Sequence, residues 1–200
     1  MNHFFLKTLA HLGFQLTLTA ITANNMRNTK INRKWMWFLI SIGFLFAMRF
    51  TQIPMMIRLI MFCLFTIFNG FILSSFLKFS TPKQIQSAIF YTIFMFTVMT
   101  IVGLLLMKYD IDITPLIMLI SMYSVSMLFI YFYMIIFDVE ERTKQYIKIA
   151  SIALFSLYIV FDTYNNFDKD YKNDIVISTL DYYTDVFSIF QNVLSMMETL

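Results

Sequence analysis

Residues 113–137 read ITPLIMLISMYSVSMLFIYFYMIIF and contain no charged side chain. A helix of about 20 apolar residues crosses the roughly 30 Å hydrocarbon core of a bilayer, so this stretch is long enough to span a membrane. The whole chain has the same character. Of its 200 residues 59% are hydrophobic and 14% are charged, against about 45–50% and about 25% in average soluble domains. These values exclude a water-soluble globule and indicate a polytopic membrane protein.

Charged residues divide the chain into spans, because a charge in hydrocarbon is costly. Besides 113–137, uncharged runs occupy residues 8–26, 35–48, 59–77, 84–107 and 149–161. A further candidate, 175–199, is apolar except for Asp181, Asp185 and Glu198. We therefore predict an all-α fold, in a single transmembrane domain of residues 1–200, whose seven helices lie at about 4–26, 35–53, 57–79, 83–107, 113–137, 145–163 and 174–198.

The connections between these runs are short, so no soluble domain is inserted. Thr81-Pro82-Lys83-Gln84 is typical of a helix start, with Thr as the N-cap, Pro at the first helical position and Gln reaching back. Thr114-Pro115 repeats the signal before the fifth helix, and residues 139–148 read as a polar linker. Lysine and arginine are slightly more numerous on the loops after the first, third and fifth helices, which favours an N-terminus outside.

Composition also argues against several functions. Cys63 is the single cysteine and cannot form an internal disulfide, and no Cys/His cluster exists to hold zinc. The net charge of +3 is small and scattered, so we expect no nucleic-acid partner. His3 and His11 have no acid partner on the first helix, and no Gly-x-Gly-Asp motif of intramembrane aspartyl proteases is present. We expect no catalytic residues and no enzymatic activity.

The last helix carries a polar stripe. Its members alternate at spacings of four and three, which keeps them within about a third of the helix circumference: Asp174, Ser178, Asp181, Asp185, Ser188, Asn192 and Ser195. The stripe could face water at the membrane surface, but interfacial helices usually carry cations on their polar face, and anionic headgroups would repel this one. We prefer an inward-facing helix that lines a polar cavity, where ionisable groups are candidates for function.

Asp162 is the second polar anomaly, because it ends the apolar run of residues 152–161. A short loop makes the last two helices antiparallel neighbours, so Asp162 can approach Asp181 or Asp185. Two close carboxylates in a low dielectric tend to share a proton, and once deprotonated they form an oxygen-rich site suited to calcium. The alternative is a solvated residue at a helix end. Arg49, at the end of the second run, could pair with an acidic member or extend to the headgroups.

Residues 155–163 (FSLYIVFDT) and 180–190 (LDYYTDVFSIF) together resemble the C-terminal signature of the Bax inhibitor family, and similarity extends more loosely over nearly the whole chain. The resemblance implies a seven-helix fold with the seventh helix central and wrapped by the other six. It also implies a pH-sensitive calcium leak and, in eukaryotes, suppression of cell death. The family's aspartate pair corresponds to Asp162 and Asp185, and its arginine partner to Arg49. Ser188 and Asn69 depart from the family pattern, which has Asn and often Glu there.

The leading hypothesis is a calcium (cation) leak channel gated by the proton-sharing pair Asp162 and Asp185, which is also the predicted calcium site. Asp181, Ser178, Ser188 and Asn192 would continue the ion path, and Arg49 would be the counter-ion. The alternative is a non-conducting regulator that binds membrane-embedded partners such as death-regulating proteins or a membrane protease. We expect no cofactor besides calcium as the permeating or bound ion. The expected location is the ER or Golgi membrane in a eukaryotic or viral setting and the cytoplasmic membrane in a bacterial one.

Overall fold

A computed structural model describes residues 3–29, 34–50, 53–168 and 174–198. Within these ranges the chain forms seven α-helices and no strand, so the predicted all-α, seven-helix fold is confirmed. The helices are α1 (His3–Met26), α2 (Lys34–Phe50), α3 (Met55–Leu77), α4 (Pro82–Lys108), α5 (Thr114–Ile136), α6 (Glu141–Asp168) and α7 (Ile175–Met197).

Five helices are long and apolar enough to cross a membrane: α1, α3, α4, α5 and α6. The apolar part of α2, Met36–Phe50, is shorter. The seventh helix has the length but is less apolar, because Asp181, Asp185 and the other polar residues of the stripe interrupt its hydrophobic sequence. The chain is thus an integral, multi-pass membrane protein, and α7 is its most polar candidate span.

The chain divides into two compact units, and the first comprises residues 1–85 and 171–184. In it α1 packs along α3, and α2 packs along the same helix. Gly70 permits the close α1–α3 approach, since a Cβ there would lie 2.7 Å from Thr22 Cβ and 2.9 Å from the Thr19 carbonyl oxygen. On α2, Trp37 stacks on Phe68 with ring centroids 5.4 Å apart.

The second unit comprises residues 86–170 and 185–200. Here α5 packs on α6 around Ile120, Met127 and Leu154, all buried. Two phenols join these helices: Tyr123 donates to the Ala150 carbonyl at 2.8 Å, and the hydroxyls of Tyr158 and Ser124 lie 2.7 Å apart. Packing and hydrogen bonding therefore fix the same helix pair.

The sixth helix is longer than the sequence predicts. It begins at Glu141, inside the expected linker 139–148, and runs to Asp168 instead of ending at about 163. An ion pair between Lys144 and Glu141, 2.7 Å long, stabilises the polar first turn. At the other end, Asn166 donates to the Asp162 carbonyl at 2.8 Å. Asp162 therefore lies inside a helix and is buried, so the alternative of a solvated residue at a helix end is wrong.

The helix starts show one confirmed prediction and one correction. At α4 the Gln84 side chain accepts from the Thr81 N–H at 2.8 Å, and the Gln84 N–H donates back to the Thr81 hydroxyl at 3.3 Å. At α5 the N-cap position is Ile113 instead of Thr114. Asp112 accepts there from the N–H and the hydroxyl of Thr114, because its carboxylate is the stronger acceptor. The second helix is predicted to continue to residue 53, and residues 51–52 of that prediction lie outside the described ranges.

Candidate functional site

The seventh helix is enclosed along its whole length. Every residue of Ile175–Met197 is buried or half-buried, and Ser178 and Thr179 have no exposed surface. A helix with polar side chains in such surroundings must satisfy them by hydrogen bonds or ion pairs, because an unpaired buried polar group is costly. The contacts of these side chains therefore define what the stripe does.

In the first unit, Asp181 forms an ion pair with Arg49. The Asp181 side chain retains 13% of its exposure and Arg49 retains 48%, so the aspartate is enclosed while the arginine reaches toward the surroundings. One turn before, the Ser178 hydroxyl lies 3.2 Å from that of Thr8 on α1. Asp181 thus contacts α2, and Ser178 contacts α1.

A second ion pair joins Arg58 on α3 to Asp174. One carboxylate oxygen of Asp174 receives the arginine, and the other accepts from the N–H groups of Val176 and Ile177 at 3.1 and 3.2 Å. Asp174 is therefore both the cap of α7 and its ionic link to α3. Sequence reasoning did not identify Arg58 as a site residue. The available signal was an arginine in the first turn of a predicted span, where a carboxylate partner is favourable.

Tyr183 is another residue that the sequence analysis missed. It is fully buried, and its hydroxyl lies 2.7 Å from that of Thr19. The Thr19 hydroxyl also lies 3.0 Å from the Gln15 carbonyl oxygen on α1 and 3.2 Å from the Thr66 carbonyl oxygen on α3. The rings of Phe62 and Phe65 meet the tyrosine ring edge-on. Tyr183 lies outside the regular four-and-three spacing, which explains why the stripe did not include it.

The same interior contains an amide–hydroxyl link between α1 and α3. Thr66 donates to the Gln15 side-chain oxygen at 2.9 Å, and the amide nitrogen of Gln15 donates to the Cys63 sulfur at 3.7 Å. Asn69, one of the two departures from the family pattern, accepts from Ser41 of α2 at 3.3 Å. These uncharged groups satisfy one another across three helices.

Asp162 and Asp185 both belong to the second unit. They retain 4% and 5% of their exposure, so each is a buried carboxylic acid inside a helix. Such burial strongly disfavours two simultaneous negative charges. A charge on either residue is therefore costly, and the sharing of a proton between the two stays a prediction.

At the C-terminal end of the stripe the polar contacts are made to backbone carbonyls. Asn192 donates to the carbonyl of Ser188, one turn earlier on the same helix, at 2.8 Å. Lys148 of α6 donates to the Ser195 carbonyl at 3.2 Å. The carbonyls in the last turn of a helix have no intrahelical partner, and a cation there also matches the helix dipole. Lys148 therefore stabilises the end of α7.

The described residues contain no group of three or more His, Cys, Asp and Glu side chains arranged to hold a metal ion. A calcium ion takes 6–8 oxygen ligands in proteins. At Asp162 and Asp185 the other oxygens would come from carbonyls, hydroxyls or water. The calcium site at Asp162 and Asp185 stays a prediction.

Comparison with known proteins places the chain in a family. No curated protein matches it. A family model does match: it is described as inhibitor of apoptosis-promoting Bax1, and the match extends over residues 1–200, the full length of the sequence. The resemblance drawn from residues 155–163 and 180–190 is thereby confirmed, and the chain belongs to the Bax inhibitor family.

Proposed function

We propose that this Bax-inhibitor-type membrane protein is a pH-sensitive calcium leak channel, in which cations pass along the polar face of α7. Its cellular role in this proposal is to suppress cell death. The observation that supports it best is the burial of two carboxylic acids, Asp162 and Asp185, inside helices of a multi-pass membrane protein. Intramembrane acids are costly and are typical of ion and proton pathways.

Gating follows from the electrostatics of the pair. With one proton shared, the two groups hydrogen-bond and carry a single charge, which stabilises a closed path. Loss of that proton leaves two repelling carboxylates, which favour separation and attract a divalent cation. Because Arg49 already neutralises Asp181, titration in this proposal concerns Asp162 and Asp185. Flux should therefore rise as the pH rises.

Calcium flux from liposomes tests the mechanism. Wild type, Asp162→Asn and Asp185→Asn are reconstituted separately, and flux is measured from pH 5 to 8. We expect the wild-type flux to rise several-fold across this range and each variant to lose the dependence, because an amide cannot release the proton. Asp112→Asn, which removes an exposed carboxylate between α4 and α5, serves as the matched control. Unchanged pH dependence in both pair variants would refute the gate.

The alternative is a non-conducting regulator that binds membrane-embedded proteins. The contacts of Thr19, Thr66, Ser178 and Tyr183 support it, because these polar groups satisfy one another between helices as a structural network does. Liposome flux equal to that of empty vesicles, together with specific recovery of a membrane protein from native membranes, would favour this function. In both cases the partners include the lipid bilayer, and we propose neither a catalytic step nor a nucleic-acid partner.

A further inference from the structure

The charges of this chain are unevenly distributed. Residues 1–109 contain no Asp or Glu, yet they contain ten of the 15 Lys and Arg residues. Two of the ten, Arg49 and Arg58, pair with Asp181 in the second turn of the seventh helix and with Asp174 at its N-cap. The other cations of this half, apart from Lys108 beside Asp110, have no carboxylate near them in sequence.

Three of these cations meet at one end of the first unit. The α1–α3 contacts advance together along both helices, from Gln15–Cys63 through Thr19–Thr66 to Arg27–Ser80. The two helices therefore run in the same direction and end at the same level. Arg27 follows the end of α1, while Lys78 follows α3 and Lys83 lies in the first turn of α4. We call Arg27, Lys78 and Lys83 the basic cluster.

The basic cluster is held in place. The guanidinium of Arg27 donates to the Ser80 carbonyl at 2.7 Å, and Ser80 is buried with its hydroxyl bonded to the Phe76 carbonyl at 3.0 Å. The turn between α3 and α4 is thus fixed to the end of α1. Lys78 and Lys83 remain exposed on it.

An exposed aromatic residue lies within the same turn. Phe79 keeps 74% of its surface exposed, directly beside Lys78. An apolar ring next to cations at the end of membrane-spanning helices suits the boundary between acyl chains and headgroups. This combination differs from a water-facing basic patch, where an aromatic ring would be unfavourably placed.

We propose that the basic cluster binds the headgroups of anionic phospholipids in the leaflet that it faces. We choose this partner by charge complementarity. Within the described part of the chain none of the three cations forms an ion pair, and uncompensated cations attract headgroups with a net negative charge. Phe79 inserts beside them among the upper acyl chains. A basic residue near an anionic membrane surface adds about 1 kcal/mol, or about fivefold in affinity.

Tryptophan quenching tests this proposal on the full chain in liposomes. The two tryptophans, Trp35 and Trp37, lie at the start of α2, and Trp37 contacts Phe68 and Phe71 of α3. Brominated phosphatidylserine and brominated phosphatidylcholine are compared as quenchers. From the quenching we expect the wild type to prefer phosphatidylserine over phosphatidylcholine at least threefold at low salt. This preference should be smaller at 0.5 M salt, because screening shortens the range of the attraction.

Variants locate the effect. In Lys78→Gln/Lys83→Gln, which leaves the Arg27–Ser80 contact intact, the preference should fall at least twofold. Adding Arg27→Gln should bring it close to one. Lys7→Gln removes an exposed cation from the opposite end of α1 and should keep the wild-type preference. Helix content by circular dichroism identifies any variant that fails to fold. If the triple variant does not fold, the double variant tests the proposal. No preference in the wild type, or an unchanged preference in the folded double variant, would overturn the proposal.

Discussion

Helices α5 and α7 are of equal length but use their polar residues in different ways. On α5 the exposed Ser121 and Ser126 donate to carbonyls four residues earlier in their own helix. On α7 the hydroxyls of Ser178 and Tyr183 reach Thr8 and Thr19 of another helix. A hydroxyl in lipid must be satisfied by its own backbone, whereas an enclosed hydroxyl can join two helices. What matters is therefore the surroundings of each side chain, because the half-buried Ser124 of α5 also joins two helices through the Tyr158 hydroxyl of α6.

The charged residues sharpen the same contrast. No charged residue occurs within α5, whereas α7 contains Asp181 and Asp185, and Asp174 caps its start. Arg49 and Arg58 neutralise Asp181 and Asp174. The enclosed helix therefore accommodates carboxylates that the outward-facing helix could not, and its Asp185 is the acid that the proposed gate uses.

The largest expected effect concerns how closely enclosed helices approach. Gly70→Ala should lower the free energy of unfolding by about 1–3 kcal/mol, because the new Cβ would overlap Thr22 and the rigid Thr19 carbonyl. Gly13→Ala and Gly43→Ala have no atom within 4 Å of the added carbon. These controls should be neutral or up to about 1 kcal/mol more stable, since alanine favours helix. Thermal unfolding in detergent measures both, and equal destabilisation of Gly70→Ala and Gly13→Ala would contradict the packing.

The Arg49–Asp181 pair should produce the next effect. Arg49→Gln leaves an enclosed carboxylate without its cation and should cost about 1–2 kcal/mol, less than for a fully buried pair because Arg49 is half-exposed. Asp181→Asn should cost less, since the arginine left behind can be solvated. A double-mutant cycle in detergent gives the coupling energy. A coupling of zero would show that the two side chains act independently.

Hydroxyl deletions compare α5 and α7 directly. Tyr183→Phe should cost about 1 kcal/mol, because it removes the hydroxyl that meets Thr19 in a buried site. Ser121→Ala and Ser126→Ala on α5 should change stability by less than about 0.5 kcal/mol, as surface substitutions usually do. Chemical unfolding in mixed detergent provides the ranking. If the serine variants lost as much stability as Tyr183→Phe, the distinction between the two helices would fail.

The smallest expected effect lies in the turn before α5. Hydrogen bonds from the side chain and then from the backbone N–H of Thr114 hold the pKa of the Asp112 carboxyl below its ordinary value. A pKa lower in the folded than in the unfolded state stabilises the fold above the unfolded pKa, about 3.9. That contribution disappears as the pH falls through the folded pKa. The difference in melting temperature between wild type and Asp112→Asn should therefore shrink below pH 4, and a constant difference would contradict the assignment.

The sequence by itself determined the class of the fold and most of the helix positions. Runs such as 113–137 contain no charge, and hydrocarbon admits few structures other than helices, so composition and run length were sufficient. The capping box at Thr81 was also predictable, because its residues are adjacent in sequence. The four-and-three spacing identified Asp181 and Asp185 for the same reason.

Only the tertiary structure decided which partners those residues meet. Arg58 and Asp174 are 116 residues apart, and Thr19 and Tyr183 are 164 apart, so no local pattern connects them. The continuation of α6 to Asp168 was missed for another reason: residues 163–168 are mostly polar, so the end of the apolar run did not mark the end of the helix. In a bilayer, apolarity specifies that a segment is a helix, but helix–helix contact specifies its neighbours, because lipid and a neighbouring helix are equally apolar.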